Sequence, residues 1–156
     1  MREIEFEQVV RIWEAADRAA GGRDTRGILD AFKPPLTQRW FEDEMSAREV
    51  ADLRFIGRTA GDQFAAITGG TYRVGDSKSG VGHQVAFRWD PAWRIISLRD
   101  PEHGARVIID GNGRSLALWQ AVQAGEIPRE RKVGIVVGDL AQAIVFRAKA
   151  IAPLWR

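Results

Sequence analysis

The stretch Ala105-Arg106-Val107-Ile108-Ile109-Asp110-Gly111-Asn112-Gly113-Arg114-Ser115-Leu116-Ala117-Leu118-Trp119 decides how this chain is read. A β-branched run ends at Asp110, two glycines flank Asn112, and apolar residues at helical spacing follow Ser115. The pattern predicts a strand that turns tightly into a helix over residues 115–124, with Arg114 on the rim of the turn. Such a turn suits anions. The first amides of a helix point out of its N-terminus, the helix dipole adds partial positive charge there, and glycine lets a phosphate approach the backbone. Gly111, Asn112, Gly113, Arg114 and Ser115 are therefore the predicted phosphate-binding residues. Asp110, at the strand's end, is the predicted catalytic carboxylate, acting as general base or magnesium ligand. A structural account competes for the same residues: the glycines supply positive φ, Asp110 accepts hydrogen bonds from the turn, and Arg114 pairs with a carboxylate.

Downstream of the turn, residues 133–137 (Val-Gly-Ile-Val-Val) read as a buried strand. Asp139 then caps a helix that Pro153 stops. Upstream, residues 71–74, 83–89 and 94–99 read as strands, and the glycine-rich residues 75–82 as a loop. The N-terminal part reads as helices. Phe6, Val9, Val10, Trp13 and Ala16 stand at helical spacing within residues 3–20, and a short helix follows Thr25 and ends before Pro34-Pro35. Residues 37–45 read as a helix carrying Trp40 and Phe41, with Glu42-Asp43-Glu44 as its solvated face. Ser46-Ala47-Arg48-Glu49 is a capping box, predicting a helix to about Ile56 that buries Val50 and Leu53. A further helical turn is expected over residues 62–68. The expected class is α/β (α+β), a single domain over residues 1–156. Its mainly helical part, residues 1–70, packs on a small mixed sheet from residues 71–156.

Composition narrows the function classes. Of 156 residues 45% are hydrophobic, with 7 Phe and 6 Trp, which suits an ordinary globular core. The absence of cysteine removes disulfides, thiolate zinc sites and a cysteine nucleophile. His83 and His103 have no carboxylate at metal-ligand spacing, so no metal site built from them is expected. Ser115 lacks the Gly-x-Ser-x-Gly setting of a nucleophile, and helix capping accounts for it. A net charge of +2 does not by itself point to nucleic acid. Acidic residues near Met1 interrupt any leader-like run and no apolar stretch has spanning length, so a cytoplasmic protein without membrane partners is expected.

From residue 93 to about residue 150 the order is strand, charged turn, strand, Asp-Gly-Asn-Gly-Arg, helix, strand, helix. This resembles the ParB/sulfiredoxin superfamily, in which a Gly-x-x-Arg turn at a helix start holds nucleotide phosphates. Gly111 and Arg114 match that element, and Asp110 matches the acidic residue preceding it in kinase-like members. The resemblance implies a nucleotide- or phosphate-binding ParB-like domain taking ATP or CTP with Mg2+, as a phosphotransferase or NTP hydrolase. A non-enzymatic DNA-binding or protein-interaction module is the alternative. The chain departs from the superfamily at Gly113, where partition proteins carry Arg and kinase-like members His. It also has no Glu-Asn-x-x-Arg after the last strand, where Asp139 and Arg147 are the nearest polar residues. Asp-Gly-Asn-Gly-Arg is similar to the motif of Fic AMP transferases too, but Arg106 stands in the place of the Fic base and Ala117 in that of its second arginine. The Fic loop joins two helices.

Overall fold

A computed structural model describes residues 1–19, 32–35, 37–55, 73–76, 94–99, 104 and 106–141. In chain order these form β1 (Arg2–Ile4), α1 (Phe6–Ala19), β2 (Thr37–Ser46), a 3-10 segment (Ala47–Asp52) and β3 (Arg54–Phe55). A 3-10 turn (Val74–Asp76), β4 (Ile95–Arg99), β5 (Arg106–Asp110), α2 (Asn112–Gln123) and β6 (Lys132–Leu140) follow. The six strands make one mixed sheet in the order β1-β2-β6-β4-β5-β3. β3 runs parallel to β5, and β4 parallel to β6, while the other pairs are antiparallel.

Side chains alternate across a strand, so a strand apolar at every position must be covered on both faces. β6 is such a strand from Val133 to Val137. Val133, Ile135 and Val137 pack with Val50, Leu53, Val74, Leu118 and Val122, beneath α2 and the 3-10 segments. Val136 and Leu140 join Val9, Val10, Trp13 and Trp40 in the second core, beneath α1. The sheet is thus the middle layer of three. α1 forms as the spacing of its apolar residues predicts, and Trp13 is 2% exposed.

The N-terminal region is not mainly helical among the described residues, and two predicted helices are corrected. Residues 37–45 lie in β2, whose pairing with β6 runs from Thr37↔Leu140 to Ser46↔Lys132. The helix propensity of the acidic run is a few tenths of a kcal/mol per residue, and strand pairing with burial of Trp40, Phe41 and Met45 outweighs it. The acids serve opposite faces instead: Glu42 pairs with Arg2 and Asp43 with Arg106. The capping-box helix is only the 3-10 segment. Its box is real, since the Ser46 amide donates to Glu49 Oε2 at 2.5 Å. Yet Leu53 is already extended, because Arg54 and Phe55 pair with Val107 and Ile108 of β5.

Asp139 caps no helix. It lies in β6 opposite Arg99, which donates to both its carboxylate oxygens at 2.6 and 2.9 Å. That bonding raises the Arg99 pKa against the opposite pull of burial. Of the predicted strand at residues 71–74, residues 71 and 72 lie outside the described residues, Arg73 makes a single bridge to Arg54, and Val74 begins the 3-10 turn with Gly75 and Asp76. The helix after Thr25, the helical turn over residues 62–68, the strand over residues 83–89, residues 77–82 of the loop, both histidines, Arg147 and the C-terminal helix lie outside the described residues. No helix among the described residues is long and apolar enough to cross a membrane.

Gly138 shows why β6 tolerates glycine. A β-carbon there would stand 2.8 Å from three atoms of the Trp40 ring. The ring cannot swing aside, because Trp40 Nε1 donates to Thr37 Oγ1 at 3.0 Å and that hydroxyl donates to the Phe32 carbonyl at 2.6 Å. Gly138→Ala is expected to cost about 1–3 kcal/mol by overpacking, measured as a lowered urea midpoint with unchanged slope.

Candidate functional site

The predicted strand-turn-helix exists, and its chemistry is built from the backbone up. β5 ends at Asp110, Gly111 forms the turn, and α2 starts at Asn112, three residues earlier than the sequence pattern suggests. Gly111 is buried, with φ of 106° and ψ of 24°, a conformation open to glycine and strained for L-residues. It is the N-cap residue, so Ser115 is not the cap. Ser115 lies inside the helix, its amide donating to the Gly111 carbonyl at 2.8 Å. Gly113 is an ordinary helical residue without positive φ. Of the two glycines, only Gly111 is required by backbone conformation.

A β-carbon on Gly111 would meet the Arg114 guanidinium at 3.6 Å, an ordinary contact. The cost of Gly111→Ala is therefore conformational, about 1–2 kcal/mol. Chemical denaturation checks it, and an equal loss is expected with or without ligand.

Arg114 departs from its predicted place on the rim. It is 7% exposed. Its Nη2 donates to Asp110 Oδ2 at 2.5 Å and its Nη1 to the Arg94 carbonyl at 3.0 Å. One guanidinium thereby ties the end of β5, the first turn of α2 and the residue preceding β4. Bonds of this charge-assisted, two-pronged kind fix geometry as well as adding energy. One of the two Asp110 carboxylate oxygens, Oδ2, is bonded to a cation. The residues as arranged do not fit Mg2+ at Asp110, and no chemical step through that ion is derived. Among the described residues no group of three or more His, Asp or Glu side chains is placed to hold a metal.

The start of α2 has no acidic residue in its first turn and no side-chain cap bond. Its positive end is left without the neutralisation that a capping Ser, Thr or Asp gives. Ser115 Oγ and Trp119 Nε1, one turn apart on α2, are buried without hydrogen-bond partners.

Sequence reading missed a second feature, a cavity of about 580 Å3 reached by Asp43, Asp52, Arg73 and Arg106. These side chains come from β2, the 3-10 segment, the residue bridged to β3, and β5. Arg106 and Asp43 are 63 positions apart, and no local pattern marks such a pair. Comparison with protein families, curated proteins and solved structures finds no match to this chain.

Proposed function

We propose that the protein is a phosphate-binding domain, with a nucleoside triphosphate such as ATP or CTP as its ligand, seated on the first turn of α2. The start of α2 carries the reading: a left-handed glycine as N-cap, no side-chain cap and no acidic neighbour in the first turn. Such an end offers amide protons and a dipole's positive pole to an anion. The order β4, β5, α2, β6 supports the finer reading of a ParB/sulfiredoxin-like half. Binding is favoured over phosphotransfer or NTP hydrolysis, because one oxygen of Asp110 is committed to Arg114. The turn joins a strand to a helix, so Fic-type AMP transfer has less support. Arg114 serves this site by holding its backbone, while the amides of Asn112 and Gly113 meet the ligand.

Gly113→Glu separates folding from binding. A glutamate in the first helical turn gains roughly 0.3–1 kcal/mol from the dipole and improves on glycine's propensity, so stability is kept or raised. The same carboxylate repels a phosphate. ATP or CTP at a hundredfold excess over its dissociation constant should stabilise the native chain by ~2.7 kcal/mol in a thermal-shift assay, and Gly113→Glu should abolish the shift. Absence of any shift with nucleotides and inorganic phosphate, or an equal shift in the variant, overturns the proposal. Duplex DNA binding that weakens steeply with salt, without nucleotide binding, would assign the turn to a nucleic-acid backbone instead.

A further inference from the structure

The cavity of about 580 Å3 lies away from the α2 turn, toward the start of β5, and its volume falls within the range of small-molecule sites. Its charges are sorted by wall. Carboxylates come from β2 and the 3-10 segment as Asp43, Glu44, Glu49 and Asp52, while arginines come from the β3–β5 side as Arg54, Arg73 and Arg106. Met45 and Leu53, each 3% exposed, give it an apolar floor. Glu49 is committed to the Ser46 amide. Two acid–arginine pairs, Asp43 with Arg106 and Asp52 with Arg73, line the space.

Both pairs are loosely made. Arg106 Nη2 stands 3.4 Å from Asp43 Oδ2, and Arg73 Nη1 stands 3.9 Å from Asp52 Oδ1. A well-formed guanidinium–carboxylate bond is about 2.7–2.9 Å. Arg99, the cross-strand neighbour of Arg106, reaches 2.6 Å with Asp139, so the sheet itself does not prevent close pairing. Asp43 Oδ1 also lies 3.8 Å from the α-ammonium of Met1 and thus already stands near an amine. An acidic wall facing an arginine wall over an apolar floor, joined only by long ion pairs, is complementary to a ligand that carries both signs and a short hydrocarbon part.

We propose that this cavity binds a small zwitterion of the amino-acid class, its carboxylate on Arg106 and Arg73, its ammonium on Asp43 and Asp52, and its side chain over Met45 and Leu53. The proposal is independent of the phosphate site. L-Leucine is the probe, titrated into the full chain and followed by ligand-observed NMR. 4-Methylpentanoate, which lacks the ammonium, and 3-methylbutylamine, which lacks the carboxylate, should each bind roughly tenfold more weakly, since each gives up one charge-assisted contact. Asp43→Asn should weaken leucine by a similar factor. Asp52→Asn, whose side chain is 77% exposed and whose loss cannot unfold the protein, should weaken it less but measurably. Gly113→Glu should leave leucine binding unchanged. No leucine binding at millimolar concentration, equal binding of a single-charge analogue, or unchanged affinity in both aspartate variants overturns the proposal.

Discussion

Trp13→Ala is expected to destabilise the protein by about 3–5 kcal/mol, the cost of deleting a large aromatic side chain from a packed core. Trp13 is 2% exposed and belongs to the cluster in which α1 meets Trp40, Ile96, Val136 and Leu140 across the sheet. Among the described residues its buried indole Nε1 has no hydrogen-bond partner, so packing is its main contribution. That separates two variants. Trp13→Phe retains a ring and removes an unpaired donor, and should cost far less than Trp13→Ala. Equilibrium urea unfolding measures both. Against typical domain stabilities of about 5–15 kcal/mol, that loss is a large share of the total. Equal losses in the two variants would show that the indole nitrogen has a partner and that packing is not the main term.

Arg114→Ala is expected to cost about 3 kcal/mol, because it leaves the largely buried Asp110 carboxylate without its cation. Side-chain exposures of 8% for Arg114 and 17% for Asp110 place the pair near the buried limit rather than among surface ion pairs. The Arg94 carbonyl loses its donor as well. Arg114→Lys should recover only part of the loss, since one ammonium cannot reproduce two diverging guanidinium bonds. The double variant Arg114→Ala with Asp110→Asn should be more stable than Arg114→Ala alone, since the side chain that loses the guanidinium is then neutral. Additive losses would show that the two side chains act separately. If Arg114 instead projected to solvent as a phosphate fork, its removal would leave the melting temperature unchanged. The same pairing makes Arg114→Ala a poor probe of ligand binding, whereas Gly113→Glu spares the Asp110–Arg114 bond.

The sequence by itself determined the features whose causes are local. Val107, Ile108 and Ile109 form a strand that turns at a glycine into a helix, because these preferences are set within about one helical turn, whereas the choice of Gly111 over Gly113 and the helix start at Asn112 rather than Ser115 came from the structure. α1 was legible for the same reason, through an apolar stripe that repeats every three or four residues. Tertiary structure decided where each segment found its partner. Residues 37–45 carry acidic residues that suit a helix, and only pairing with a strand distant in sequence, from Met45↔Val133 to Thr37↔Leu140, makes them β2. Asp139 has the form of a helix cap until Arg99 on the neighbouring strand takes both its oxygens. The direction of Arg114 depended on the Arg94 carbonyl, 20 positions earlier, which closes a guanidinium fork that Asp110 alone would leave half used. Cross-strand neighbours are chosen by burial and register in the folded sheet, and a propensity of a few tenths of a kcal/mol per residue cannot oppose the burial of whole side chains.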